Sequence, residues 1–87
     1  MAQDSADQSL SVQARAPFEV YFDGNARSVS ATNKVGRFDI LPGHADFFSL
    51  INPGDVVIET NEEEITIPIT NGIVTVKDDV VLLFLNI

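Results

Sequence analysis

Apolar and polar residues alternate along most of this chain with a period of two, the repeat that sends successive side chains to opposite faces of a strand. Leu10, Val12, Ala14 and Ala16 alternate with Ser11, Gln13 and Arg15 until Pro17 interrupts the run. Phe18, Val20 and Phe22 repeat the pattern as far as Asp23-Gly24, a dipeptide that tolerates turn geometry and predicts a corner. Between Ala26 and Val35 the alternation thins to Ala26, Val29 and Ala31 among Ser, Thr and Asn, the composition of an outer strand. Phe38, Ile40 and Leu41 lead into Pro42-Gly43, where proline fixes φ and glycine accepts a positive one, as a type II turn requires. Phe47, Phe48, Leu50 and Ile51 fit one face of a two-turn helix or a buried strand, and Pro53-Gly54 ends either.

The second half is richer in β-branched residues. Residues 56–60 and 65–69 read as strands joined by the polar connection Asn61-Glu62-Glu63-Glu64, a hairpin loop. Asn71-Gly72 predicts a type I′ hairpin turn, whose two central residues both need positive φ. That turn sets Ile69 opposite Val74 and Ile67 opposite Val76, with Thr66, Thr70, Thr75 and Lys77 on the other side. Pro68 cannot donate a ladder hydrogen bond, so its strand belongs at a sheet edge or beside a bulge. Val80 to Leu85 is apolar at every position, which suits a strand covered on both faces. Eight or nine short strands with at most one short helix predict a single all-β domain over residues 9–87, an antiparallel sandwich or barrel. Ahead of it MAQDSADQ, residues 1–8, is small and acidic and predicts a disordered tail.

Composition narrows the chemistry. Thirteen acidic residues against five basic ones give a formal charge of −8, and Arg15, Arg27, Lys34, Arg37 and Lys77 are scattered, so nothing resembles the cationic footprint of a nucleic-acid or anionic-membrane binder. The absence of cysteine removes disulfides, thiolate nucleophiles and zinc–thiolate sites together. No window reaches the ~20 apolar residues of a membrane-spanning helix, and the N-terminus lacks the basic and apolar regions of a secretory signal, so the chain reads as soluble and not exported.

Catalysis would have to start from His44, the sole histidine. Asp39, Asp46 and Ser49 lie close in sequence, but a triad needs a base within hydrogen-bond reach of a nucleophile and a third group orienting that base, which proximity alone does not supply. Asp78-Asp79 and Glu62 to Glu64 lack the spaced oxygen ligands and central glycine of a calcium loop and read as solvated acidic turns. No glycine-rich phosphate loop precedes a helix. The residues point to a binding or structural module, with no enzyme activity, no metal and no cofactor.

Gly36-Arg37-Phe38-Asp39-Ile40-Leu41-Pro42-Gly43-His44-Ala45, followed by an apolar run and then Asn52-Pro53-Gly54-Asp55-Val56, resembles the N-terminal domain of the epsilon subunit of F-type ATP synthase. The resemblance extends from about Ser9 to Leu85. It implies a ten-stranded β-sandwich of two five-stranded sheets, a non-catalytic domain that clamps onto the rotating gamma subunit and sits on the polar loops of the membrane rotor ring. By position, Lys34, Arg37, Asp39 and His44 are the implied partner contacts, and Pro42, Gly43, Pro53, Gly54, Asn71 and Gly72 the structural turns. The implied location is cytoplasmic, peripheral to the inner membrane. Arg37, Asp39 and Asp46 depart from the family pattern, which has a small or acidic residue, a glycine and a proline there. The family's C-terminal helical hairpin has no counterpart in this chain. Two functional expectations follow: an epsilon-like coupling subunit, or an epsilon-like sandwich serving as a protein-interaction domain of a longer protein outside ATP synthase.

Overall fold

The computed structural model describes residues 9–87, so the acidic tail expected over residues 1–8 lies outside the described residues. Nine strands form: β1 (Leu10–Ala16), β2 (Glu19–Ala26), β3 (Ser28–Asn33), β4 (Gly36–Ile40), β5 (Phe47–Ile51), β6 (Gly54–Glu59), β7 (Glu64–Ile69), β8 (Gly72–Lys77) and β9 (Val80–Leu85). They make a five-stranded sheet in the order β2-β1-β9-β8-β5 and a four-stranded sheet in the order β4-β3-β6-β7, so the sandwich has one strand fewer than the ten implied by resemblance. Every neighbouring pair is antiparallel except β1 with β9, which run parallel from Ser11↔Val80 to Arg15↔Phe84. The ambiguous run at Phe47 is a strand, with Phe47 and Ile51 facing Val76 and Gly72 across β8.

Period-two alternation sets the core. Leu10, Val12 and Ala14 of β1, Val74 and Val76 of β8, and Val81, Leu83 and Leu85 of β9 are buried on the inner face of the larger sheet. Val29, Ala31, Ile40, Val56, Ile58, Ile67 and Ile69 supply the inner face of the smaller sheet. Full burial of each of the larger aliphatic side chains contributes about 1.5–3 kcal/mol, and branched side chains suit the pleat because they lose little rotamer freedom there. Pro68 lies on β7, an edge strand, where its missing donor breaks no ladder bond to a second neighbour.

Four local expectations change. Asp23-Gly24 does not turn: the two residues pair with Gln13 and Val12, and β2 runs on to Ala26. Gly24 occupies an inner position between Phe22 and Ala26, and the Phe22 ring lies 3.5 Å from where a Gly24 Cβ would stand, so an aromatic ring covers the bare backbone. The chain changes sheets at Arg27 instead, whose N–H donates to the Glu59 carbonyl at 2.7 Å. The weakly alternating β3 is an inner strand between β4 and β6, its small residues buried beneath neighbours on both sides. β9 is covered on one face only: Val81, Leu83 and Leu85 are buried, while Val80 and Phe84 stay 43% and 40% exposed.

The fourth change is the largest. Asn71-Gly72 is no hairpin turn, because β7 pairs with β6 in one sheet and β8 with β5 and β9 in the other. Neither residue has positive φ, and Ile67 and Ile69 never face Val76 and Val74 as ladder partners. The residues that adopt the paired positive φ of a two-residue hairpin are Asp78 (51°) and Asp79 (62°), between β8 and β9. Gly72 is required for space. A Cβ there would stand 2.8 Å from Leu85 Cδ2 and 3.1 Å from the Phe84 carbonyl oxygen, so β8 and β9 approach where only hydrogen fits.

Asn86 closes this end of the sandwich. With φ of 55° it turns its amide so that Oδ1 accepts the Thr70 N–H at 2.8 Å while Nδ2 donates to the Tyr21 hydroxyl at 3.1 Å. One side chain thereby ties the end of β9, the β7–β8 crossover and β2.

Gly72→Ala is expected to lower unfolding stability by about 1–3 kcal/mol through overpacking. Leu85→Val retracts the methyl that the new Cβ would strike, so the double variant should lose less than the two single changes combined in denaturant unfolding. Strict additivity of the two changes would reject the close approach.

Candidate functional site

The Leu41–Asp46 corner joins β4 of one sheet to β5 of the other, and its conformation follows from Pro42-Gly43. Gly43 has φ of 85° and the His44 N–H donates to the Leu41 carbonyl at 3.0 Å, the type II turn that the sequence predicts. Gly54, the glycine of the second Pro-Gly, also has positive φ, at 149°, as β6 begins. The His44 ring is held twice: Nδ1 stands 2.7 Å from the Ala45 carbonyl oxygen, which makes Nδ1 the protonated nitrogen of the neutral ring, and the ring meets Phe47 edge-on at 5.4 Å. Phe47 in turn lies 5.3 Å from Phe38 with the rings tilted, so the imidazole ends a short row of aromatic contacts packed against the core.

A residue 36 positions away fixes the corner. Asp79 Oδ1 accepts the Gly43 N–H at 2.8 Å, and the Asp79 backbone carbonyl accepts the Ser11 N–H at 2.8 Å. One aspartate therefore joins the corner, the β8–β9 turn and the start of β1. Charge on the acceptor strengthens the first of these bonds.

Arg37 and Asp39 alternate outward on β4, across from Thr32 and Ser30 of β3. The buried Ser30 hydroxyl donates to Asp39 Oδ1 at 2.6 Å, and Arg37 Nε approaches the same oxygen at 3.4 Å. The Ser30 hydrogen bond, more than the Arg37 charge, holds the Asp39 carboxyl below the usual carboxylate range, against a smaller opposing effect of desolvation. Arg37 and Asp39 are 69% and 55% exposed, so water screens their pair and it adds little to stability. Around them Ser30, Arg37, Asp39, Val57, Glu59 and Glu64 line an open hollow of about 230 Å³ on the outer face of the smaller sheet. Lys34 stands exposed in the two-residue β3–β4 loop, which Asn33 shapes by accepting the N–H groups of Val35 and Gly36 through Oδ1, at 2.9 and 3.2 Å.

The structure thus brings Arg37 and Asp39 together, sets Lys34 at the end of the same hairpin, and gives His44 different neighbours. The candidate triad does not assemble: Asp39 is engaged by Ser30 and Arg37, while Ser49 accepts from Asn33 Nδ2 at 3.1 Å and donates to the Leu50 carbonyl at 2.8 Å. The carboxylates of residues 62–64 are exposed around a turn in which Thr60 Oγ1 accepts the Glu62 and Glu63 N–H groups. Asp79 and Ser30 are the contributors that sequence reasoning missed. For Asp79 a signal existed, since two aspartates between apolar strands tolerate positive φ better than most residues.

Comparison with known proteins fits this architecture. The family described as ATP synthase, Delta/Epsilon chain, beta-sandwich domain matches residues 9–86. The chain belongs to that family. Among curated epsilon-family relatives, the ATP synthase epsilon chain of Trichlorobacter lovleyi is 26% identical over 79 residues, covering 91% of this chain and 57% of the relative. The ATP synthase epsilon chain of Ruthia magnifica is 32% identical over 76 residues, covering 87% and 55%. This epsilon-type sandwich thus spans little more than half the length of such relatives. Among solved structures, a chain of the Euglena gracilis mitochondrial ATP synthase assembly of OSCP, F1 and c-ring superposes with a TM-score of 0.83 at 17% identity, over 91% of this chain and 51% of the other. A chain of the Tetrahymena thermophila mitochondrial ATP synthase central stalk and c-ring gives 0.73 at 21% identity, over 85% and 60%. At those identities the likeness establishes the fold.

Two outcomes test the geometry of this epsilon-type corner. Asp79→Ala should cost about 1 kcal/mol and speed hydrogen exchange at the Gly43 amide, whereas Asp79→Asn, which keeps an acceptor, should preserve most of the protection; equal protection in Asp79→Ala would refute the tie. Ser30→Ala should move the Asp39 titration midpoint upward when followed by carboxyl NMR. Because the folded pKa is depressed, the stability that the Ser30 bond contributes is present at neutral pH and is lost as pH falls through the folded value. An unmoved midpoint would show that the Ser30 bond does not favour the ionised form.

Proposed function

We propose that this chain is the β-sandwich portion of an epsilon-type subunit of F-type ATP synthase, a non-catalytic part that couples a gamma-type rotor subunit to the membrane ring during proton-driven ATP synthesis. The observation that carries this reading is the family match across residues 9–86, joined to a Pro42-Gly43 corner that forms the type II turn its sequence predicts. The neighbours, in a Euglena assembly of OSCP, F1 and c-ring and in a Tetrahymena central stalk and c-ring, support the same setting.

Lys34, Arg37, Asp39 and His44 form the ring-side contact in this proposal. Lys34, Arg37 and Asp39 are exposed and His44 is half-buried, and they lie on the β3–β4 hairpin and the corner that follows it. Their polar character suits the hydrophilic loops of a ring better than lipid. Among the described residues no helix is long and apolar enough to cross a membrane, and the proposed position is peripheral, at the cytoplasmic face. The work asked of such a part is mechanical, and it needs neither a nucleophile nor a bound cofactor.

Purified chain should form a complex with its cognate gamma subunit at micromolar concentration, and the complex should capture detergent-solubilised ring. Arg37→Ala with His44→Ala should weaken ring capture severalfold while leaving gamma binding unchanged. Absence of a gamma complex at micromolar concentration would remove the rotor reading and favour a separate interaction domain.

A further inference from the structure

Asn71 is the only asparagine of this chain followed by glycine; the other five precede Ala26, Lys34, Pro53, Glu62 and Ile87. Glycine has no side chain to obstruct its own amide nitrogen, so that nitrogen reaches the side chain of a preceding asparagine with little hindrance. Attack of the Gly72 nitrogen on Asn71 Cγ closes a cyclic succinimide. A bond forms between the Gly72 nitrogen and Cγ, the bond from Cγ to Nδ2 breaks, and Nδ2 leaves as ammonia, its third proton balancing the one lost from Gly72. Water then opens the ring. Opening at Cγ leaves aspartate, whereas opening at the backbone carbonyl leaves isoaspartate, whose main chain is longer by one methylene.

The fold holds Asn71 out of this reaction with a clasp. Asn71 Oδ1 accepts the Ile87 N–H at 2.9 Å, and its backbone carbonyl accepts the Asn86 N–H at 2.9 Å. Asn86 answers through its own Oδ1, which accepts the Thr70 N–H at 2.8 Å. Gly72 is buried at the start of β8, with Leu85 of β9 and Ile51 of β5 as its ladder partners. Cγ meets the Gly72 nitrogen only after the side chain lets go of Ile87 and the start of β8 leaves its extended course. Asn71 is exposed, so water competes for the clasp, and hydrogen bonds of this kind open far more often than a core does.

The two products differ in what they do to the sandwich. Aspartate at position 71 keeps an oxygen for the Ile87 N–H. Isoaspartate lengthens the chain immediately before Gly72, where a single added Cβ would already stand 2.8 Å from Leu85 Cδ2, so it would push β8 off β9.

We infer that Asn71 is a self-modification site, converted to aspartate and isoaspartate whenever the clasp made by Asn86 and Ile87 opens. The reaction needs only water and the chain's own backbone, and it is independent of any rotor partner.

Ageing the purified chain in mildly alkaline buffer, with peptide mass mapping and isoaspartyl methyltransferase labelling, tests this. Asn71 should convert while the other five asparagines keep their amides. Unfolding in urea should speed conversion about tenfold or more, and Asn86→Ala should speed it severalfold in the folded chain. If Asn86→Ala does not fold, urea below the unfolding transition opens the clasp of the parent chain instead, with the same acceleration expected. In the urea-unfolded chain, where packing plays no part, Gly72→Ala should slow conversion severalfold because its methyl crowds the attacking nitrogen. An Asn71 that keeps its amide in the native chain, or converts no faster once the clasp is opened, would overturn the inference. So would an unfolded Gly72→Ala chain that converts as fast as the parent.

Discussion

The last strand of this chain pairs in parallel with the first, and the sandwich depends on that pairing. β9 lies in the middle of the larger sheet, between β1 and β8, with Val81 beside Val12 and Leu83 beside Ala14. Without it β8 and β5 would have no connection to β1 and β2, and the inner face that buries Leu10, Val12 and Leu83 would be split. Such a contact spans nearly the whole chain, so its loop-closure entropy is spent before any reward from packing is collected. That ordering explains why the end of β9 is secured so heavily. Asn86 bonds Thr70 and Tyr21 through its side chain and Asn71 through its backbone, and Asp79 anchors the other end to Ser11.

Side-chain alternation carried most of the fold in the sequence itself. A period of two marks each strand wherever one face is buried, which is why β1, β6 and β7 were legible, and the Pro42-Gly43 turn followed from the dihedral limits of its two residues. The errors share a cause. Asn71-Gly72 and Asp23-Gly24 read as turns because glycine permits positive φ, but glycine also permits close approach, and at Gly72 that second property is the one in use, while Gly24 continues β2 in ordinary contact with Phe22. Local sequence cannot separate these uses, since the close approach depends on Leu85 and Phe84 arriving from elsewhere in the chain.

The candidate site was legible in part for the same reason. Residues 36–44 carry a recognisable pattern because their turn chemistry is local. Their supports are not local: Ser30 reaches Asp39 across the β3–β4 ladder, and Asp79 reaches Gly43 from a hairpin near the other end of the chain. The open face of β9 is not legible in the sequence, where an unbroken apolar run reads as a strand covered on both sides; the sheet order leaves Val80 and Phe84 partly exposed.

The double engagement of Asp79 has a mechanical meaning. A push on the Leu41–Asp46 corner passes through one carboxylate and one carbonyl into β8, β9 and β1, all central strands whose hydrogen bonds run laterally across the sheet. A load on the corner would therefore be shared with the larger sheet instead of resting on the β4–β5 connection alone.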